Sequence, residues 1–186
     1  MPNKGLGPGV AFTAEALQAG LLYTLPLLGL AAGLDLVEDK FPALQDVTKA
    51  TQRSVLRLLG GTWKPLLGLA IATGLGLVAG FGEEMLFRGI FQYELAARWG
   101  STLAIGVSSV VFGALHAVTP WYAALATVAS VYFGGLYGWT SNLAVPIICH
   151  GVYDIGALMY AHWEVSQMTD QEQLELSNWL GPGEEP

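Results

Sequence analysis

Glu83 and Glu84 stand side by side at the end of a long apolar run, with Arg88 four residues further on. From Trp99 to Tyr153 the chain then contains no Asp, Glu, Lys or Arg. The strongly polar titratable groups of that stretch are His116 and His150, and Asp154 follows immediately after it. A charged residue at the centre of a membrane costs about 2.5–3.5 kcal/mol, so Glu83, Glu84 and Arg88 left unpaired would cost on the order of 8–10 kcal/mol. Two carboxylates, two imidazoles and an arginine kept in such surroundings suit hydrolysis. A carboxylate can deprotonate a water and later protonate a leaving amine. Imidazoles can orient that water, hydrogen-bond a developing oxyanion or ligate a metal.

Spacing sorts these groups. Glu84 and Arg88 lie at i, i+4 with the acid first, the favourable order for an intrahelical ion pair, and bracing is most of their expected role. His150 and Asp154, also i, i+4, share one helix face. If two spans form an antiparallel hairpin turning at Gly100, Glu83 and His116 fall at matching depth, each about 23 Å from the turn. Glu83, His116 and His150 make a chemically reasonable three-ligand set for a divalent metal such as zinc. No H-E-x-x-H spacing supports that alternative, so no cofactor is assigned, and no G-x-S-x-G signals a serine nucleophile. The single cysteine, Cys149, excludes an internal disulfide and a thiolate cluster. It is expected to be a small apolar residue of a membrane helix, and His162, beside Trp163, an interfacial one.

The elements that must position these residues are hydrophobic. Of the 186 residues, 53% are hydrophobic and 12% charged, against about 25% charged in soluble domains. The chain is therefore expected to be an all-α, polytopic membrane helix bundle of about five spans plus an interfacial amphipathic helix. The expected location is the cell (inner) membrane, crossed several times. Net charge is −7 without a basic patch, which argues against nucleic acid as a partner. Membrane lipid and a peptide or membrane-protein substrate are the expected partners, and no oligomeric state is indicated. The Gly- and Pro-rich opening Met1–Val10 does not have the pattern of a signal peptide.

The first apolar run, Ala16 to Leu34, is long enough to span once, with Pro26 as a kink. Leu44, Val47, Thr51, Val55, Leu58 and Leu59 then recur at helical spacing, with Lys49, Arg53 and Arg57 on another face. That pattern predicts an amphipathic helix, lying on the membrane surface or serving equally well as a solvated connector. Pro65 opens a helix running to about Arg98, too long for an upright span and expected to tilt, protrude or bend near Gly80 and Gly82. Further spans are expected over roughly 102–118, 121–139 and 144–163, with a short amphipathic helix near Leu174–Leu180. Small residues four apart at Gly29/Gly33, Gly76/Gly80 and Gly134/Gly138 predict close helix approaches. The aromatics Trp121, Tyr122, Tyr132, Phe133, Tyr137 and Trp139 are expected to be mostly belt or packing residues, with a substrate-groove lining as the alternative for some. Residues 1–64 thus hold the first span and surface helix, 65–163 a membrane core and 164–186 an acidic polar tail. Five of the eight Lys/Arg lie between Lys40 and Lys64, which predicts that this loop is cytoplasmic.

Three motifs now combine. Glu83-Glu84-Met85-Leu86-Phe87-Arg88 resembles the EExxxR motif of the CAAX protease and bacteriocin-processing family of intramembrane proteases (type II CAAX prenyl endopeptidase-like). Phe112-Gly113-Ala114-Leu115-His116 resembles that family's FxxxH, and His150-Gly151-Val152-Tyr153-Asp154 its HxxxN/D, with Asp154 where many members have Asn. The resemblance implies a glutamate-dependent protease in which Glu83 activates water with help from His116. It further implies that His150 and Asp154 bind the scissile carbonyl or its oxyanion, while Glu84 and Arg88 brace the site with Phe112 in support. Prenylated substrates are not implied, because the eukaryotic prenyl-protein proteases have more spans. Two rivals from other classes are a non-catalytic scaffold or bacteriocin-immunity protein, and a proton-coupled transporter. The intact acid–histidine set disfavours the first, and the lack of an internal repeat the second.

Overall fold

The computed structural model describes residues 9–181. The Gly- and Pro-rich opening falls largely before them, and the last acidic residues of the tail, 182–186, lie after them. Among the described residues the chain is all helical. Its helices are α1 (Ala14–Asp35), α2 (Pro42–Leu59), α3 (Pro65–Glu84), α4 (Tyr93–Trp99), α5 (Ser101–Leu115), α6 (Pro120–Thr140), α7 (Ala144–Gln167) and α8 (Asp170–Asn178). A 3₁₀ turn at Glu38–Lys40 joins α1 to α2, and a π-helical stretch, Met85–Gln92, joins α3 to α4 without a break.

Local chemistry sets these boundaries. Proline opens α2, α3 and α6, where its missing N–H would have no helical partner anyway. Thr13 and Thr119 cap α1 and α6 by accepting from the backbone N–H of Ala16 and Tyr122. Gly60 and Gly100, at φ 77° and 82°, make the left-handed exits that end α2 and α4. The tail helix α8 starts earlier than its apolar residues suggest, because Thr169 and Glu172 form a capping box.

Among the described residues three helices are long and apolar enough to cross a membrane: α1, the continuous Pro65–Trp99 rod, and α7. The apolar α5 is shorter, and α5 and α6 pack together to complete the bundle. Burial is inverted relative to a soluble protein. Leu22, Leu25, Leu66, Leu77 and Val78 face outward, while Glu84, Arg88, Gln92, Ser109 and His162 are shut inside. Lipid solvates leucine as well as a protein core does, so close packing and polar contacts must hold the helices together.

Helix α7 is the centre, touched by α1, α2, α3 and α6. Its Ile147–Gly151–Ile155 stripe receives α3 at Gly76 and Gly80, where an added Cβ would lie 2.6 Å from Gly151 O and 2.8 Å from Gly151 N. The other small-residue pairs do not act this way. Gly29, Gly33 and Gly138 face open space, Gly134 sits against the Gln92 side chain, and the close approach of α1 is at Gly20 against Ile148. Helix α2 uses Val55 and Leu59 against Ala161 of α7, whereas Leu58 is exposed and lies off that face. The long rod departs from α geometry at Met85–Gln92 rather than at Gly80 and Gly82. Gly80 is locked in the α7 crossing, so the irregularity falls one turn later.

Candidate active site

The site is built from the end of α3, the π-helical stretch, the end of α5, and the middle of α6 and α7. Adjacent residues on a helix point about 100° apart, and that rotation divides the two glutamates. Glu84 turns into the bundle and is fully buried, as is Arg88. Glu83 turns toward α5 and α7 with a third of its side chain accessible.

Glu84 is the anchor. Its Oε1 accepts from Arg88 Nη1 at 2.9 Å and from His150 Nδ1 at 2.8 Å. Arg88 Nη2 donates to both the carbonyl and the hydroxyl of Ser130 on α6, at 2.7 and 2.8 Å. The guanidinium lies between Phe112 and Phe133, 5.1 and 5.4 Å from their ring centroids, a cation–π arrangement. Five helical segments thus converge on one buried ion pair.

Each histidine has its tautomer set by an obligatory acceptor. A carboxylate paired with Arg88 can only accept, so His150 carries its proton on Nδ1, leaving Nε2 to face the open side. His116 lies at the end of α5, closer to the helix terminus than the expected 102–118 span would put it. Its backbone N–H bonds to Gly113 O, which frees Phe112 O to accept from His116 Nδ1 at 2.8 Å. A carbonyl left over at a helix end thereby orients the ring. Phe112 stacks on His116 at 4.2 Å, and Phe133 on His150 at 4.7 Å.

Both Nε2 atoms converge on Glu83. Its Oε2 lies 3.7 Å from His116 Nε2 and 4.0 Å from His150 Nε2, while Asp154 Oδ2 lies 3.4 Å from His150 Nε2. Glu83, His116 and Asp154 are each about one-third accessible. The structure therefore brings Glu83, His116, His150 and Asp154 to one place, with Glu84, Arg88 and Phe112 behind them. Glu83 Oε2 is buried without a hydrogen-bond partner among the described residues. Separations of 3.7–4.0 Å are too long for direct hydrogen bonds.

The metal alternative was Glu83, His116 and His150. Among the described residues no group of three His, Cys, Asp or Glu side chains is arranged to hold a metal ion. These residues do not fit a metal as they stand, and no step below runs through one.

Ser130 and Phe133 were missed in the sequence, Phe133 being grouped with the belt aromatics. Their signal was present: Ser130, Phe133 and Gly134 fall on one stripe of α6, the side opposite its exposed aromatics such as Trp139. His162 is a correction. It is fully buried rather than interfacial, its ring lies tilted against Trp63 at 4.9 Å, and its Nε2 accepts the backbone N–H of Lys64. It ties the α2–α3 loop to α7, away from the cluster. Cys149 is buried as expected, its thiol donating to Tyr23 O.

Comparisons with known proteins bear on the same region. The family model "Type II CAAX prenyl endopeptidase Rce1-like" matches residues 64–156, half of the chain. "Uncharacterized protein YpbD" of Bacillus subtilis (strain 168) is 35% identical over 83 residues, 43% of this chain. The match covers 40% of that relative's length. No solved structure matches significantly.

Proposed function

The chain belongs to the Rce1-like family of type II CAAX prenyl endopeptidases, a family of membrane-embedded proteases, and on that premise we propose that it is a multi-pass intramembrane endopeptidase with Glu83 as its general base. Its substrates are membrane-associated or lipophilic peptides, cut by a water that Glu83 activates. The cell membrane is its site of action. The supporting observation is the convergence of His116 Nε2 and His150 Nε2 on Glu83 Oε2, at 3.7 and 4.0 Å.

A water between these atoms gives one proton to Glu83 and hydrogen-bonds His116 Nε2 with the other. The resulting hydroxide attacks the scissile carbonyl carbon. His150, held through Nδ1 by Glu84, presents Nε2 to the carbonyl oxygen and, when protonated there, stabilises its developing negative charge, with Asp154 sharing that proton. When the C–N bond breaks, Glu83 returns its proton to the leaving amine. Glu84 and Arg88 touch neither water nor substrate. They hold His150 in register and are positioning residues.

The test is cleavage of a membrane peptide by reconstituted protein. Glu83→Ala and His116→Ala should each lower kcat by about 10²–10⁴-fold, the range of general acid–base catalysis, while the elution profile and helicity stay those of the wild type. Full activity in both variants would sink the protease reading. Loss of wild-type cleavage on strong chelation, restored by a divalent metal, would overturn the metal-free mechanism.

A further inference from the structure

A cavity lies beside the catalytic cluster and has no part in the chemistry above. It measures about 440 Å³, within the range of ligand pockets, and sits between α1, α2, α6 and α7. Leu28, Ala31, Leu44, Val47, Leu125 and Ala157 give it an apolar lining. At one end it reaches Tyr153, the neighbour of Asp154.

At its other end the lining changes character. Asp35, Glu38 and Glu164 border the cavity, all partly buried. Each is held by a neutral donor: Tyr160 donates its hydroxyl to Asp35, Thr48 to Glu38, and Gln52 its amide to Glu164. None of the three forms a salt bridge among the described residues. Lys40, beside them in sequence, makes no ion pair there either. An apolar trough ending in three fixed carboxylates complements an apolar segment that ends in a cation.

We propose that this cavity is a substrate groove of the protease, taking an apolar stretch of peptide that carries a lysine or arginine against Asp35, Glu38 and Glu164. The proposal rests on the protease reading, and it also predicts a register. Asp154 and Glu164 are separated by ten residues of unbroken helix α7, about 15 Å. An extended peptide advances about 3.3 Å per residue. The basic residue therefore falls four or five positions from the bond that is cut.

The experiment separates binding from cleavage. Full-length Glu83→Ala protein in an uncharged maltoside detergent is titrated with a fluorescein-labelled alanine–leucine peptide bearing one lysine, and with its glutamate counterpart. The lysine peptide should bind about tenfold more tightly, a preference that falls with added salt. Combining Asp35→Asn, Glu38→Gln and Glu164→Gln, which keep shape and hydrogen-bond acceptors, should abolish the preference. If the combined variant elutes as aggregate, Glu164→Gln alone should reduce the preference. Ala157→Leu, which fills the apolar part, should weaken both peptides. Equal binding of the two peptides, or a preference that survives charge removal in folded protein, overturns the groove. With active protein, moving the lysine along the peptide should move the cut with it, and a cut that stays put overturns the register. A retained lysine preference with no cleavage by the wild type overturns the protease reading and leaves the groove standing.

Discussion

Replacing Glu84 by glutamine separates two jobs that its carboxylate performs at once. The side chain keeps its shape, but Arg88 loses its counter-charge in a place with no solvent access. Its remaining close partners are the Ser130 carbonyl and hydroxyl, both neutral. Removing one partner of a buried pair costs about 3–5 kcal/mol. Polar groups within membranes find substitute partners in the unfolded state, so the lower end applies, about 3 kcal/mol or two orders of magnitude in the unfolding equilibrium. The double variant Glu84→Gln/Arg88→Met removes the stranded charge and should regain most of that loss. Cleavage should not recover with it, because His150 Nδ1 has lost its ionic anchor in both proteins. Activity in each should stay at least about 100-fold down. Unfolding by sodium dodecyl sulfate in mixed micelles, followed by tryptophan fluorescence, measures stability, and turnover of a peptide measures the second job. A single variant within about 1 kcal/mol of wild type, or a double variant no more stable than the single, refutes this account of the pair.

Three further outcomes follow from particular contacts. Gly76→Ala puts a Cβ 2.6 Å from the Gly151 carbonyl and should destabilise the α3–α7 crossing by about 1–3 kcal/mol. Gly82→Ala, which meets nothing within 4 Å, should be neutral or stabilise by about 0.5–1 kcal/mol in the same unfolding assay. His162→Phe keeps an aromatic ring against Trp63 but strands the Lys64 N–H. It should cost about 1–3 kcal/mol by that assay and leave the lysine-peptide preference intact. The Glu172 carboxyl is held below its ordinary value by the Thr169 backbone N–H and hydroxyl. A depressed carboxyl contributes stability above its unfolded value and loses it as pH falls through the folded one. Amide protection in the first turn of α8 should therefore fall as pH drops from the ordinary glutamate value of 4.5 downward, and Glu172→Gln should remove that dependence.

Much of this arrangement is legible in one dimension because helices are periodic. Glu84 and Arg88 pair as their spacing requires, and His150 and Asp154 share a face for the same reason. Glu83 and His116 meet because two antiparallel helices hinged at Gly100 bring equal counts to equal depth. Ser130 and Phe133 were hidden for the opposite reason. Nothing local distinguishes a serine that caps an arginine from one that lines a helix, since the arginine is 42 residues away. His162 looked interfacial from its neighbours, yet its partner is a backbone group 98 residues upstream. Of the ways the long rod could fit, a bend at Gly80 and Gly82 is not the one adopted. Gly80 instead packs directly on Gly151 of α7, a contact that no count along one helix reveals.

The sequence by itself determined that this protein is a helical membrane bundle, because hydropathy and helical period are local properties. It also determined which polar residues must be brought together, since few others exist within the apolar spans. Only the tertiary structure decided what each of them touches. It turned Glu84 inward onto both Arg88 and His150, ended α5 so that Phe112 O aims His116, and left Glu83 between two imidazole nitrogens. Those choices depend on the rotation and crossing of helices against one another. That geometry is set by packing contacts such as Gly76 and Gly80 on Gly151, far from the chemistry in sequence and invisible until the chain is folded.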